Sequence, residues 1–246
     1  MKDTSWLLGT PIAHRGLHNN IDIPENSMKA FRNAVEHGYG IEFDVYLSLD
    51  GKVIIHHDWS LKRMCGMRKK APKINTDKLQ DYKLINTDES IPLLTDMLDM
   101  VAGQVPLVLE IKTTTRVVST CQAVYDIVKD YKGNICIESF DERIVKWWHH
   151  NHPEFVLGQL YSVNPNRKLQ KAHKLYKLVD FLAVSTKNLP EKYFADIKKE
   201  CPEKLIINWT VRTTEHLENA RKYADNIIFE CNIKNPEYIS LDQLTQ

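Results

Sequence analysis

Two carboxylates stand inside an apolar run of the sequence. Glu42 and Asp44 are separated by one residue in the segment GIEFDVYL, and an Asp-Gly turn then leads to His56, His57 and Asp58. A charged side chain inside a buried strand costs several kcal/mol unless a partner compensates it. Because side chains at i and i+2 of a strand point to the same face, we expect both carboxylates to face one side of the sheet.

A second apolar run, LVLEIK, repeats this pattern with Glu110 and Lys112. If the carboxylates of both strands and a third strand's His14 point to one interior, they converge. Carboxylates gathered in a small volume repel one another, and a bound cation relieves that repulsion. Oxygen ligands alone favour Mg²⁺ or Ca²⁺ over zinc. The alternatives are an internal Glu110–Lys112 ion pair without function, or carboxylates that are simply exposed.

Two histidine positions could serve proton transfer. His14 and Arg15 end the first candidate strand, in the segment HRG, and the Arg15 guanidinium is a planar fork of donors suited to phosphate. His57 is followed by Asp58, a carboxylate able to orient its ring, and two histidines beside one metal suit general acid and base catalysis of phosphoryl transfer. Strand parity does not choose between His56 and His57.

Apolar strand patterns alternate with helical patterns along the chain, which predicts a parallel sheet. Eight such units in 246 residues are the expected size of an α/β protein with a closed (β/α)₈ TIM barrel. An open doubly wound sheet is the alternative, although the sequence has no G-x-G-x-x-G or P-loop motif. The predicted strands are 10–15, 40–47, 105–112, 134–140, 155–161, 179–184, 204–211 and 225–230.

Helical patterns lie between these strands. The first has cap-type residues at Asn26 and Ser27, continues with apolar residues at helical spacing, and stops at Gly38. The others are 116–131, 141–152, 191–200 and 214–224.

Residues 58–92 interrupt the alternation. This segment is polar, lacks a clean period and contains a cluster of six basic residues between Lys62 and Lys73. A loop of this length within a compact domain is usually functional or disordered. We interpret it as an insertion between strand 2 and helix 2 that lies over the barrel mouth, in a single domain that spans 1–246. A solvated loop is the alternative.

Composition excludes several classes of protein. The formal net charge is only +1, which argues against binding to nucleic acid through bulk charge. No run approaches the roughly 20 apolar residues of an integral membrane segment, and the N-terminus lacks the apolar stretch of a signal peptide. Five scattered cysteines without a C-x-x-C pair predict reduced thiols and a cytoplasmic protein. The oligomeric state cannot be inferred.

Several segments resemble, in order and spacing, the glycerophosphodiester phosphodiesterase family. The resemblance is dense over 11–112, in AHRG, IPENSMKAFRNAVEHGY, IEFDVYLSLDGKVIIHHDWSLKR, IPLLTDML and LVLEIK, and thinner afterwards. It implies a (β/α)₈ barrel that hydrolyses glycerophosphodiesters, which are small molecules, to glycerol 3-phosphate and an alcohol with a divalent cation.

The resemblance also implies roles for individual residues. Glu42, Asp44 and Glu110 would hold the metal, and His14 and His57 would be the acid and base. The substrate-binding residues would be Arg15 and Lys112 at the phosphate, Glu25 as a carboxylate beside the ligands, and Trp209 as a wall of the glycerol pocket.

The chain departs from the family pattern in three places. Where members commonly carry TVN after the tryptophan, this chain has Thr210-Val211-Arg212. Where they carry TD-x-P after the eighth strand, it has Phe229-Glu230-Cys231-Asn232. Where a threonine usually follows the equivalent of Arg63, it has Met64-Cys65. We expect these departures to affect substrate identity more than activity. Alternatives are a sphingomyelinase-D-like phosphodiesterase that forms a cyclic phosphate, which an unpaired cysteine set and Glu110 disfavour, and a barrel that binds glycerophosphodiesters without turnover.

Overall fold

The computed structural model describes residues 2–85, 87–161, 175–187, 198–231 and 237–244. Within them, eight parallel strands form a closed barrel, because β1 pairs with both β2 and β9. A ninth strand, β3, pairs antiparallel with β2. The strands are β1 Ile12–His14, β2 Gly40–Leu47, β3 Val53–Ile55, β4 Leu107–Ile111, β5 Ile135–Ser139, β6 Val156–Tyr161, β7 Phe181–Ser185, β8 Leu205–Val211 and β9 Asn226–Phe229.

The barrel prediction is therefore confirmed, and each of the eight predicted strands is present. The open doubly wound sheet is wrong, because the β1–β2 pairing closes the sheet. Sequence analysis missed β3, which is only three residues long and returns beside β2 after the Asp-Gly turn.

Helices lie between the strands, and four of the five predicted helical patterns are present, whereas the helices Lys62–Cys65 and Leu94–Val101 were not predicted. The helices are α1 Met28–Glu36, α2 Lys62–Cys65, α3 Leu94–Val101, α4 Val117–Val128, α5 Glu142–Asn151 and α6 Thr214–Tyr223. The Ser27 hydroxyl accepts a hydrogen bond from the Ala30 N–H and so caps α1. The predicted helix at 191–200 falls largely on residues outside the described ones.

Side-chain alternation separates two apolar layers. The outward residues of the strands, such as Phe43 and Leu109, pack against the helices. The inward residues near the amino ends of the strands, such as Val108 and Phe181, fill the barrel interior. Gly158 is required there, because a Cβ atom at this position would lie 2.2 Å from the Phe181 ring. The interior is thus closed with apolar residues at one end, and the polar residues lie toward the carboxyl ends of the strands.

Residues 58–92 contain α2 and two 3₁₀ segments, Ala71–Lys73 and Thr76–Asp81. Their apolar side chains form a small cluster of their own against Tyr46 and Ile54. The single-domain division and the interpretation of this segment as a cap over the mouth stay predictions. All five cysteines are free thiols. Among the described residues, no helix has the length and apolar character needed to cross a membrane.

Candidate active site

Three carboxylates meet at the carboxyl end of the barrel. Glu42, Asp44 and Glu110 each offer an oxygen within 4.8 Å of the others' oxygens. They are buried, with exposures of 3%, 0% and 6%. The β2–β4 register places Asp44 beside Glu110, and Glu42 lies two residues earlier on the same face. The structure thus brings together the three residues that strand parity predicts.

Among the residues that the structure describes, fewer cations than carboxylates lie within this cluster. Lys112 Nζ is 3.2 Å from Asp44 Oδ1 and 2.8 Å from Glu110 Oε1, so one lysine serves two carboxylates. Arg15 Nε lies 3.5 Å from Asp44 Oδ2, and the Arg15 backbone N–H donates to Glu42 Oε2 at 3.0 Å. The negative charge is therefore only partly compensated. A buried set of oxygen donors at this spacing fits Mg²⁺ or Ca²⁺.

The pKa values of the three carboxylates reflect the close approach of their negative charges. Burial, followed by the repulsion of Asp44, Glu138 and Glu110, raises the pKa of Glu42 well above its ordinary value. Burial raises the pKa of Glu110 to about 7 although Lys112 opposes the change. Burial would also raise the pKa of Asp44, but Lys112 and Arg15 outweigh it and hold this pKa well below its usual range. Mutual repulsion thus makes the cluster a place where a divalent cation would stabilise the ionised carboxylates.

Arg15 is held in position by a sharp turn at the end of β1. Arg15 and Gly16 both have positive φ, 57° and 77°, and a Cβ atom at residue 16 would meet Ala30 of α1 at 2.9 Å. The Arg15 Nη1 atom donates to Glu25 Oε1 at 2.7 Å. Left-handed conformations at non-glycine residues are uncommon, and they concentrate at functional sites. The HRG segment therefore turns the guanidinium back over the carboxylates.

Glu25 lies behind Arg15 rather than in the pocket. Its Oε1 atom accepts from Arg15 and from Arg63, and its Oε2 atom accepts from Arg63 and Asn20. Burial would raise the pKa of Glu25, but the arginines hold it far below its ordinary value. A carboxylate occupied in this way fixes Arg15 and does not itself meet an anionic phosphate.

The structure distinguishes the two neighbouring histidines. His57 lines the pocket, and its Nδ1 atom lies 2.8 Å from Asp58 Oδ1. Asp58 in turn accepts hydrogen bonds from Arg63 Nε at 2.7 Å and Nη2 at 3.1 Å. His56 is 2% exposed and is not among the lining residues. Geometry therefore places His57, not His56, at the site.

His14 also lines the pocket, at the carboxyl end of β1. Its Nε2 atom lies 3.8 Å from Glu42 Oε2, and its Nδ1 atom lies 2.5 Å from Glu230 Oε1. Burial, and secondarily Arg15, lowers the pKa of His14 to about 4. Sequence analysis noted residues 229–232 only as a departure from the family pattern, and so missed the contact of Glu230 with His14.

One pocket of about 400 Å³ contains most of these groups. Trp209, one of its walls, packs edge-to-face against Phe140 with ring centroids 5.6 Å apart. Lys112 is not among the lining residues, because it lies against Asp44 and Glu110. The pocket is lined by His14, Arg15, Glu42, His57, Glu110, Glu138, Phe140, Leu160, Ser185, Thr186, Lys187, Trp209, Thr210, Arg212 and Ile228.

Glu138 is a further pocket residue that sequence analysis missed. It lies beside Glu110 in the β4–β5 register and is 1% exposed. Its Oε2 atom has no hydrogen-bond partner within the described part of the chain. Burial, and then Glu110 and Asp44, raise its pKa well above the ordinary value. The inward parity of strand 134–140 could have identified it.

The fold and the site together define a TIM barrel whose acidic cluster and flanking histidines suit metal-assisted phosphoryl chemistry. The sequence matches the glycerophosphoryl diester phosphodiesterase family over residues 14–225, and the chain belongs to this family.

Individual relatives agree with this assignment. A lysophospholipase D of Rattus norvegicus is 31% identical over 139 residues, which are 51% of this chain and 42% of that protein. A glycerophosphodiester phosphodiesterase of Bacillus altitudinis is 30% identical over 145 residues, 56% of this chain and 57% of that protein. A phosphodiesterase of Oleispira antarctica, solved with the product sn-glycerol-3-phosphate, has a TM-score of 0.78 at 22% identity and shares 91% of this chain and 93% of its own.

The alignments with these two curated relatives span about half of each relative's length. The solved structure, at its level of identity, establishes the shared fold.

Proposed function

We propose that this protein hydrolyses glycerophosphodiesters to glycerol 3-phosphate and an alcohol. One observation carries the proposal: a buried, cation-suited cluster of three carboxylates lies at a pocket that is also lined by two histidines, His14 and His57, and by Arg15. Membership of the phosphodiesterase family supports the substrate class.

Glu42, Asp44 and Glu110 would hold one divalent cation, Mg²⁺ or Ca²⁺. When bound, such an ion neutralises charge that develops on a phosphate oxygen. The chain's own cations add to this effect. Arg15, fixed by Glu25, presents its guanidinium to the pocket, where it would bind a non-bridging phosphate oxygen. Lys112 holds Asp44 and Glu110 in place and would contribute positive charge beside the phosphate.

The two histidines would transfer the protons. Each contacts a carboxylate through Nδ1, which leaves Nε2 as the atom able to accept or donate a proton in the pocket. One imidazole would remove the proton of the attacking hydroxyl or water, and the other would protonate the leaving alcohol oxygen. Trp209 would form an apolar wall for the glycerol carbons.

A panel of diesters tests this function. Purified protein is given glycerophosphocholine, glycerophosphoethanolamine and glycerophosphoinositol, with EDTA or with each cation restored, and released glycerol 3-phosphate is measured. We expect cation-dependent release. His14→Asn and His57→Asn should each lower turnover by about 10²–10⁴-fold, whereas His150→Asn, on the exposed side of α5, should not change it. No release from any diester under any cation contradicts the proposal.

The same panel separates the alternatives. Sphingomyelin and lysophosphatidylcholine are included because a curated relative is named a lysophospholipase D. Choline release from sphingomyelin with a cyclic phosphate product would favour the sphingomyelinase-D-like reaction. Saturable binding of glycerophosphocholine without any cleavage would favour the non-catalytic barrel.

Location and partners follow from the substrate and the thiols. We propose a cytoplasmic enzyme with small-molecule substrates, since five free cysteines suit a reducing compartment. Subcellular fractionation tests the location.

A further inference from the structure

Two residues that the proposed reaction does not use form a contact at the ends of neighbouring strands. Arg212 directly follows β8, and Glu230 directly follows β9. The Glu230 backbone N–H donates to the Val211 carbonyl at 3.0 Å, which fixes the two strand ends against each other. Both residues lie where the sequence departs from the family pattern.

The Glu230 carboxylate is fully engaged by its neighbours. Its Oε2 atom accepts from Arg212 Nε at 2.7 Å, and its Oε1 atom accepts from Arg212 Nη2 at 2.9 Å and contacts His14 Nδ1 at 2.5 Å. Burial would raise the pKa of Glu230, but His14 and Arg212 outweigh it and keep the group ionised. Glu230 is not among the residues that line the pocket, so it acts on His14 and not on a ligand.

The other histidine of the pocket has the same arrangement. His57 Nδ1 contacts Asp58 Oδ1 at 2.8 Å, and Arg63 donates hydrogen bonds to that carboxylate from Nε and Nη2. The two units come from unrelated parts of the chain: one from the ends of β8 and β9, the other from the segment after β3. In each, an arginine holds a carboxylate in a two-bond fork, and the carboxylate fixes one imidazole.

This arrangement has a specific chemical consequence. A carboxylate at Nδ1 stabilises the tautomer that carries a proton on Nδ1, and it fixes the plane of the ring. His14 Nε2 is then directed toward Glu42, 3.8 Å away, where the reacting phosphate would lie. Without a fixed carboxylate the ring could rotate or adopt the other tautomer.

We propose that Glu230 positions His14 for proton transfer and that Arg212 positions Glu230. The inference rests on the proposed function. Residues 212 and 230 differ from the family pattern, and the sequence suggests that such differences affect substrate recognition. In this proposal they instead hold a histidine in position.

Kinetics of single and double variants test the proposal. Glu230→Ala should lower kcat by about 10–100-fold, the usual cost of losing a group that orients a catalytic ligand or base, with KM changed less than about twofold. Arg212→Gln should lower kcat by a smaller factor, and Arg212→Lys should restore part of it. Arg143→Gln is the matched control, because Arg143 donates the same pair of hydrogen bonds to Asp141, a carboxylate that contacts neither pocket histidine.

The decisive comparison is in the His14→Ala background. If Glu230 acts through His14, Glu230→Ala should cost no further activity once the imidazole is gone, because residues acting as one unit are not additive. A full additional loss there, or a rise in KM at unchanged kcat in the single variant, overturns the proposal. Should Glu230→Ala fail to fold, Glu230→Gln preserves the shape and replaces it in the same comparison.

A spectroscopic measurement tests the proposed His14 tautomer without any catalytic turnover. The ¹⁵N shifts of the His14 ring should show a protonated Nδ1 in the neutral imidazole of the wild-type protein, and this signature should weaken in Glu230→Ala. Identical ring shifts in both proteins contradict the proposal. If the wild-type protein cleaves no diester, the proposed function fails, while the ring shifts still decide whether Glu230 sets the tautomer.

Discussion

Lys112→Met is the substitution whose effect on stability the structure defines most closely. Lys112 is the cation that Asp44 and Glu110 share, and both carboxylates are more than nine-tenths buried. Methionine preserves most of the aliphatic stem but leaves the two carboxylates without their ammonium partner. Removing one partner of a buried ion pair costs about 3–5 kcal/mol. In a domain of this size, this corresponds to a fall in Tm of roughly 6–20 °C.

A divalent cation should reverse part of this loss. A ligand at 100 times its Kd stabilises the folded state by about 2.7 kcal/mol, and the cation should raise the Tm of Lys112→Met by more than that of the wild-type protein. Thermal unfolding in EDTA and in excess Mg²⁺ or Ca²⁺ measures both effects. Lys146→Met is the control, because the Lys146–Glu142 pair is half exposed and contributes little. An unchanged Tm for Lys112→Met in EDTA, or an equal cation effect in both proteins, would refute this reasoning.

Three further predictions concern stability. Burial lowers the pKa of His56 to about 4, so between pH 6.5 and 4 the unfolded chain binds a proton that the folded protein does not, and the folded state loses stability as the pH falls through this range. In urea titrations His56→Gln should remove up to about 1.4 kcal/mol of that loss per pH unit. An unchanged dependence of the free energy of unfolding on pH contradicts this. Gly158→Ala should lower the free energy of unfolding by about 1–3 kcal/mol, because the new methyl group meets the Phe181 ring. Adding Phe181→Leu should recover part of this loss. If the double variant is no more stable than Gly158→Ala, the Phe181 ring is not the source of the clash. Ser27→Ala should cost about 1 kcal/mol by uncapping α1, and a Tm equal to wild type would show that water replaces the hydroxyl.

The barrel and the acidic cluster were predictable because they follow from alternation. The i, i+2 spacing of Glu42 and Asp44 fixes their common face, and the parallel register then places Glu110 beside Asp44. Repeated strand and helix patterns leave few ways to bury both faces of a parallel sheet. These are local rules that a single sequence contains.

The groups that orient the site were not predictable in this way. His14 and Glu230 are 216 positions apart, and their contact depends on how the last strand closes against the first. Choosing His57 over His56 needed the backbone path after β3, a strand too short to show a pattern. Glu25 was predicted as a carboxylate beside the ligands, but no spacing rule indicates that its oxygens accept hydrogen bonds from Arg15 and Arg63.

The most direct test of the central claim is a cation titration of the purified protein. Isothermal calorimetry, or Mn²⁺ electron paramagnetic resonance as a proxy for Mg²⁺, should show one site per chain. Affinity should fall by at least about 10–100-fold in Glu42→Gln, Asp44→Asn and Glu110→Gln, but not in Glu142→Gln, a half-exposed carboxylate on α5. Binding that survives all three substitutions together, or wild-type diester hydrolysis without any bound cation, would contradict the account.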